Sequence, residues 1–497
     1  MNQTLEKCPG SNIREAEDAF RQFRDEIRAA LSRGTLADSV IGKDHIFEGP
    51  FGPKKLIYAD YAASGRALCQ VEQFIMDRVL PVYANPHTQA SYCGGMMNGL
   101  RRIARQEITQ YCGAGDGDAV IFAGSGATAG IHKLVRLFGV DQTGPADMKP
   151  LVLLGPYEHH SNLLPWRESG AEVVELPEGN EGGVDFCELE RVLVGASGRH
   201  IVCSFSAGSN VTGALTDIVE ISRLVKRHGG LIIWDFAGAA PYIPMTMVPA
   251  VDVQIDALVF SPHKFIGGPA ASGILVVHRD SVILDKPSAP GGGTVSFVSP
   301  DMHDYLDTLE AREEAGTPNV IGDIRAALAI IVRDCLAEAG LDQRADAMCK
   351  IALASWRANP QLEILGADRE AQLPIVSFRV RGKNGALVNH QLVTRILSDK
   401  FGIQARGGCA CAGPYVHQLL NIDTHESEAI RQSIKAGEEL EKPGFARVNF
   451  SPLLSDQDFS QLVISVNQVA KNIESYASQY SCNPATAVFH AIARAAK

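Results

Sequence analysis

The sequence predicts an α/β protein, in which a mostly parallel sheet lies between helices and a smaller α+β unit follows. Three observations carry this. Short apolar runs recur at 56–59, 119–123, 151–154, 172–176, 200–205, 231–234, 257–260 and 273–277, and runs this brief and this apolar read as buried strands. Helical spacing fills several of the intervals, at 131–138, 186–194 and 218–228. Strands that alternate with helices imply crossover connections and therefore parallel pairing. From about Thr317 the texture changes, which places the second unit there.

Taken in order, residues 14–33 carry Ala16, Ala19, Phe20, Phe23, Ile27, Ala30 and Leu31 at helical spacing, and Gly34 is placed to end that helix. This extension, residues 1–55, is expected to pack with the smaller unit. The sheet domain follows over 56–316. The second unit, 317–480, opens with a long helix at 324–339, continues through strands at 375–380 and 447–450, and ends on an amphipathic helix at 456–473. Its polar stretch 421–444 reads as an insertion, and 481–497 as a weakly determined tail. Repeats and low-complexity tracts are absent from the sequence.

Composition narrows the class of function. In 497 residues, 46 Lys and Arg face 57 Asp and Glu, a net charge of −11. An acidic chain argues against nucleic acid or an anionic membrane as partner, since both favour concentrated positive charge. A hydrophobic fraction of 45% with 21% charged residues is ordinary globular usage, so wholesale disorder is excluded. Eleven scattered cysteines, an odd number, do not form a secreted disulfide framework. The longest apolar stretch, 231–251, is interrupted by Asp235, Gly238 and prolines, unlike a membrane span. The first residues lack the apolar core of a secretory signal. A soluble, cytoplasmic protein is the expectation.

The chemistry concentrates in four places. Asp256-Ala257-Leu258-Val259-Phe260-Ser261-Pro262-His263-Lys264 ends an apolar strand on a hydroxyl, an imidazole and an amine. A lysine chosen at random is a solvated surface charge, but this one lies between two buried-looking strands, and a desolvated amine forms Schiff bases with carbonyl compounds. Leu231-Ile232-Ile233-Trp234-Asp235 puts a carboxylate at the end of another strand, where a pyridinium nitrogen would need an anion; a helix cap is the plainer reading. Phe122-Ala123-Gly124-Ser125-Gly126-Ala127-Thr128 opens a helix after a strand, a phosphate cradle or merely a tight turn. Glu158-His159-His160-Ser161-Asn162 follows a strand and offers an imidazole to stack on a flat ring. Adjacent histidines face different ways, so chelation of a metal is disfavoured. The G-x-G-x-x-G fingerprint and the Walker lysine are both missing, which argues against a dinucleotide-binding oxidoreductase and a P-loop enzyme.

In this order and spacing, the four segments make the chain resemble a pyridoxal-phosphate enzyme of fold type I, in the class V aminotransferase group, on its cysteine desulfurase/selenocysteine lyase branch. The resemblance runs from about Tyr58 to Ile473. It implies a seven-stranded, mostly parallel sheet and a homodimer. Lys264 would then hold the cofactor covalently, His159 would stack on its ring, Asp235 would pair with the ring nitrogen and Asn210 would lie by the ring hydroxyl. Ala127, Thr128, Ser261 and His263 would hold the phosphate, with Gly292, Gly293 and Thr294 reaching the site of a partner subunit.

Substrate-side groups select the reaction, because the cofactor serves many. Arg447, in Phe445-Ala446-Arg447-Val448-Asn449-Phe450, resembles the arginine that clamps an amino-acid carboxylate, a task suited to a planar fork. Arg406-Gly407-Gly408-Cys409-Ala410-Cys411 resembles the segment that presents a catalytic cysteine. Register from Arg406 gives that role to Cys411, with Arg406 helping to supply a positive field. The implied reaction removes sulfur from L-cysteine through a persulfide and leaves L-alanine, with a sulfur-acceptor protein as a further partner. Two departures keep alternatives open. Cys409 stands where relatives carry a histidine, so the order in which the thiols act is undecided. Gly238 stands where they carry a glutamine, which leaves room for an aminotransferase, epimerase or lyase of the isopenicillin-N-epimerase type, without sulfur transfer. A redox pair or two inert thiols are the plainer readings of Cys409 and Cys411; a zinc site would need a second cysteine pair.

Overall fold

Apolar strands with no polar face must be covered on both sides, and the fold does this. A computed structural model of the chain describes residues 10–86, 88–142, 149–366 and 372–492. Two compact units emerge. Of the described residues, the larger gathers those within 10–41, 64–208 and 216–339; the smaller gathers those within 42–63, 209–215 and 340–492.

The larger unit is built on seven strands: β1 (Asp118–Gly124), β2 (Leu151–Leu154), β3 (Glu172–Glu175), β4 (Ile201–Ser206), β5 (Leu231–Asp235), β6 (Ala257–Phe260) and β7 (Gly273–His278). Their order across the sheet is β1-β7-β6-β5-β4-β2-β3. Only β7 runs antiparallel to its neighbours, β1 and β6; the other pairs are parallel. All seven coincide with apolar runs read from the sequence, and β2, β4 and β6 are buried at every residue. Helices α1 (Gly10–Ser32), α2 (Tyr92–Tyr111), α3 (Gly126–Leu137), α4 (Phe186–Gly195), α5 (Ile218–Arg227) and α6 (Val320–Glu338) belong to this unit.

Two stretches fall differently from the sequence reading. Helix α6 begins what was expected to be the second unit, and α1 was expected to pack there; both lie in the larger unit, where α1 packs against α2 and α6. The reason is the width of their apolar faces. Helix α6 is buried along nearly its whole length, including the guanidinium-bearing Arg325 and Arg333, so it needs cover on several sides, and α1 supplies a stripe of Ala16, Phe20, Phe23 and Ile27, all at most 2% exposed. Gly34 ends α1 as expected, at φ +70°, with Thr35 N–H reaching back to the Ala30 carbonyl.

The smaller unit centres on an antiparallel sheet of β8 (Leu362–Ile364), β9 (Ile375–Val380), β10 (Arg406–Gly408) and β11 (Phe445–Asn449), ordered β8-β9-β11-β10. Helices α7 (Leu341–Arg357), α8 (His390–Phe401), α9 (Gly413–Leu420), α10 (Thr424–Lys435) and α11 (Asp456–Lys471) complete it. Trp356, Phe378, Phe450 and Leu462 lie in its core. The stretch read as an insertion holds α10, which buries none of its residues. The expected tail instead closes a hairpin, Tyr480–Asn483 with Val488–Ala491. Among the described residues no helix is long and apolar enough to cross a membrane.

Candidate active site

In the larger unit, the candidate groups collect where parallel strands end. Strand β5 is apolar until its last residue, Asp235, which is 4% exposed and accepts the Ala237 N–H at 2.8 Å. Burial pushes this carboxyl up, while the Ala237 N–H and the Lys264 ammonium pull it back down. Carboxyl ends of parallel strands are where open α/β sheets bind ligands.

Strand β6 leads into Ser261 and the short turn Pro262–Lys264. That turn is clamped from several directions. Lys264 N–H donates to the Ser261 carbonyl at 3.0 Å, and Gly65 N–H donates to the His263 carbonyl at 2.8 Å. A Cβ on Gly268 would stand 1.9 Å from the Pro262 oxygen, so only glycine lets the chain pass. Lys264 is thereby held half-buried. Burial, with the Lys264 charge beside it, pushes the His263 imidazole down to about 4, so it is neutral at pH 7.

Helix α3 begins opposite this turn. Its Ala127 N–H donates to Ser261 Oγ at 2.9 Å. Gly126, at φ +61°, lets Ser261 and His263 come close to the helix start: a Cβ there would approach Ser261 Oγ to 2.9 Å and His263 Cε1 to 3.2 Å. Thr128 Oγ1 donates to Ser161 Oγ at 2.7 Å, and Ser161 contacts His159 Nδ1 through both Oγ (3.0 Å) and its backbone N–H (3.1 Å). Because Nδ1 accepts a backbone N–H, the neutral ring carries its proton on Nε2.

Beneath these groups lies a buried network around Glu158, a residue to which sequence reasoning gave no role. Its Oε1 accepts the Ser206 N–H at 2.8 Å, and its Oε2 accepts the Ser206 hydroxyl at 2.7 Å and the Asn162 amide. Asn162 Oδ1 in turn accepts from Trp166 Nε1 and Ser204 Oγ. Ser206 pairs in register with Asp235, so one carboxyl links the His159–Asn162 turn to the strand beside Asp235. Burial pushes Glu158 up to about 8, against the hydrogen bonds from Ser206 and Asn162, and the Asp235 charge adds to the rise. Thr294, by contrast, is held in its own turn, its hydroxyl donating to the Gly291 carbonyl at 2.7 Å, with Gly292 and Gly293 exposed.

The smaller unit assembles the other candidates. Arg406 on β10 pairs directly across from Arg447 on β11, an unfavourable arrangement of like charges. Asp60 resolves it. One of its oxygens accepts Arg447 Nη2 at 3.1 Å, and the other accepts Arg406 Nε at 3.0 Å and Nη2 at 2.9 Å. Arg447 is 3% exposed and also donates to the Asn210 carbonyl at 2.9 Å. The Asn210 amide donates to the Ala410 carbonyl at 2.8 Å, while its Oδ1 is buried without a hydrogen-bond partner among the described residues. Cys411 is exposed and Cys409 half-buried, both as free thiols. Asp60 went unremarked in the sequence, yet it ends the apolar run 56–59 just as Asp235 ends its strand; the same signal would have found it. Among the described residues, no group of three or more His, Cys, Asp or Glu side chains is arranged to hold a metal ion.

The family model for class-V aminotransferases matches residues 57–441. The chain belongs to that family. Relatives include a probable cysteine desulfurase of Halalkalibacterium halodurans, 27% identical over 375 residues that cover 73% of this chain and 86% of the relative. A cysteine desulfurase of Enterobacter sp. is 28% identical over 72% of this chain and 85% of its own. Among solved structures, the apo cysteine desulfurase of Thermococcus onnurineus superposes with a TM-score of 0.67 at 22% identity, over 84% of this chain and 95% of that one. The S-sulfonic acid form of an Escherichia coli cysteine desulfurase gives 0.65, also at 22%, over 83% and 94%. The fold is that of these enzymes.

Class-V aminotransferases work with pyridoxal phosphate, and the residues of this chain fit that group. Asp235 is a buried carboxylate that, among the described residues, receives only the Ala237 hydrogen bond; a protonated ring nitrogen is the kind of partner its burial calls for. The helix start at Gly126 is bare of side chain and closely approached by Ser261 and the neutral His263, a hydroxyl and an imidazole at a helix N-terminus, which suits a phosphate.

Proposed function

We propose that the chain is a pyridoxal-phosphate-dependent cysteine desulfurase, taking sulfur from L-cysteine as a persulfide and releasing L-alanine. The observation that carries this reading is an exposed thiol, Cys411, on the strand-to-helix turn that follows Arg406, in the same unit as the buried Arg447. Family membership and the similarity to named desulfurases support it.

Bound at the strand ends, the cofactor supplies an electron sink for charge that develops at Cα of the amino acid. The chain's residues do the rest. Lys264 Nζ would tether the group and carry a proton to and from Cα. Asp235 would keep the ring nitrogen protonated, and His159, its Nδ1 occupied by Ser161, would stack with Nε2–H outward. Ala127, Thr128, Ser261 and His263 would hold the phosphate, with Thr294 added by the second subunit of a homodimer. Asn210 would meet the ring hydroxyl through Oδ1. Arg447 would grip the substrate carboxylate, and Arg406, tied to it through Asp60, would keep the field positive. Cys411 Sγ, as thiolate, would take the substrate sulfur and hand it to an acceptor protein.

The test is product analysis. With L-cysteine and a reductant, the purified holoenzyme is expected to yield equal amounts of alanine and sulfide, and Cys411→Ala to yield neither. A protein that makes no alanine, or a Cys411→Ala, Cys409→Ala double variant with full activity, overturns the reading. Gly238, in place of a glutamine, favours the second reading, an aminotransferase or epimerase without sulfur transfer; solvent-deuterium exchange at Cα of other amino acids would reveal it.

A further inference from the structure

The two thiols of Cys409-Ala410-Cys411 are joined by their backbone. Strand β10 ends at Gly408 and α9 begins at Gly413; between them the Ala412 N–H donates to the Cys409 carbonyl at 3.1 Å, closing a four-residue turn. Its two central residues, Ala410 and Cys411, have φ of +51° and +55°. Two successive left-handed residues mark the turn type that Asn and Gly adopt readily. Alanine and cysteine adopt it at a cost of about 1–2 kcal/mol each, and strain of this kind collects at functional sites. The turn is held from outside: the Asn210 amide grips the Ala410 carbonyl at 2.8 Å, and the buried Asn210 Oδ1 beside it lacks a hydrogen-bond partner among the described residues.

Closing the chain this way changes what the thiols can do. Extended residues two apart are separated by roughly 6.6–7.2 Å, at about 3.3–3.6 Å per residue, at or beyond the Cα span of roughly 4.4–6.8 Å that a disulfide bridges. A closed turn shortens that separation. Cys411 is exposed while Cys409 is half-buried, so Cys411 meets small molecules more readily, and the closed turn keeps Cys409 two residues away within one tight loop.

We propose that Cys409 is a resolving thiol for Cys411: once Cys411 carries a sulfane sulfur, Cys409 displaces it as hydrosulfide and the turn closes as a disulfide. This deepens the desulfurase reading and rests on it for the source of the sulfur in the cell. In the step, Cys409 thiolate attacks Cys411 Sγ, the bond from that Sγ to the terminal sulfur breaks, and the terminal sulfur leaves as HS⁻ with the electron pair and its own proton. The Cys409 sulfur is oxidised by as much as the leaving sulfur is reduced, so the step needs no external oxidant. A dithiol reductant, supplying two electrons and two protons, would reopen the turn. A disulfide strained by so small a loop is more easily reduced than a structural one.

The experiment uses the full-length, reduced protein with no amino-acid substrate. Brief treatment with sodium tetrasulfide, followed by desalting, loads persulfide chemically; sulfide release and peptide mass mapping are then followed without reductant. Wild type is expected to release sulfide in stoichiometric amount and to show a Cys409–Cys411 disulfide. Cys409→Ser is expected to retain the persulfide on Cys411 until dithiothreitol is added, and Cys411→Ser to show neither product. Circular dichroism checks that each variant is folded. A wild type that keeps its persulfide as long as Cys409→Ser, or that releases sulfide without forming the disulfide, overturns the proposal. Alanine formation from L-cysteine is measured separately, so failure of either reading shows without the other.

Discussion

The groups around Lys264 and those around Arg447 are built in opposite ways. In the larger unit, each key side chain stands at the end of a regular element: Asp235 closes β5, Lys264 follows β6, and Thr128 opens α3. Their backbone is fixed by the sheet, and the side chains are tuned by burial and by one another. In the smaller unit, the corresponding groups sit on a three-residue strand, a strained turn and two short stretches, 42–63 and 209–215, that return from far along the chain. There the geometry depends on charge pairing and single hydrogen bonds. A site on strand ends should tolerate changes in its surroundings and fail abruptly at the reacting group; a site on paired charges should lose stability and orientation together.

The largest effect is expected at Lys264. Lys264→Ala removes the only amine proposed to move protons at Cα, and a positioned general acid–base group is worth about 10²–10⁴-fold in rate. Alanine production from cysteine measures this, and loss of borohydride trapping at position 264 shows that the tether is gone. The fold should survive, since Lys264 is half-buried and its turn is held by backbone bonds.

Asp60 probes the other region. Asp60→Ala leaves Arg447, 3% exposed, facing Arg406 across the strand pair with no shared carboxylate. Removing one partner of a buried ion pair costs about 3–5 kcal/mol, here reduced because Arg406 remains half exposed. Urea denaturation is expected to show this loss, with a rise in KM for cysteine. A destabilisation no larger than that of an exposed substitution would show that the strand pair carries its two arginines unaided.

Glu158 lies between these in kind, a buried titratable carboxyl within the strand-end region. Its folded-state proton affinity is raised to about 8 by burial, against about 4.3 for a free glutamate. The sign follows from linkage: the stability it contributes is fully present below the unfolded value and is lost as pH rises through about 8. Glu158→Gln removes this titration, so its stability should vary less with pH between those limits than that of wild type. The amide introduced by that substitution also turns an NH₂ toward the Ser206 N–H or the Asn162 amide, leaving a buried donor unsatisfied, a loss of about 1–3 kcal/mol. Thermal melts of the two proteins across this range test both expectations.

The same contrast explains what could be read from the sequence. The inner strands of the larger sheet were legible because β2, β4 and β6 are buried at every residue and therefore largely apolar, whereas the edge strand β3 is exposed at both ends; the groups at the strand ends stand out against the apolar background. What packs on what was not legible. The stripe of α1 says that one face is buried but not against which unit, and α6 is buried along nearly its whole length, charged residues included, which suits either side of a boundary. Asp60 escaped notice because its partners lie 346 and 387 residues away. Glu158 escaped because a carboxylate beside two histidines looks like solvated loop until Ser206 and Asn162 close around it. The hairpin at 480–491 is short and mixed in composition, with little periodicity to reveal it.

The smallest effect is expected at Arg406, where the two regions can be compared most finely. Its side chain is 50% exposed, against 4% for Arg447, although both meet the same carboxylate. An exposed pair contributes about 0–1 kcal/mol, so Arg406→Gln should barely change the urea midpoint, whereas Arg447→Gln leaves Asp60 without its buried partner and should cost several times more. If Arg406 instead matters through its field on the turn that follows, Arg406→Gln should slow alkylation of Cys411 by the anion iodoacetate more than by neutral iodoacetamide in the cofactor-free protein, because an exposed positive charge draws an anionic reagent to the turn. Added salt should then shrink the difference between wild type and variant, since an exposed charge is screened within about 8 Å at physiological ionic strength. Equal alkylation rates at low salt would confine Arg406 to its bond with Asp60.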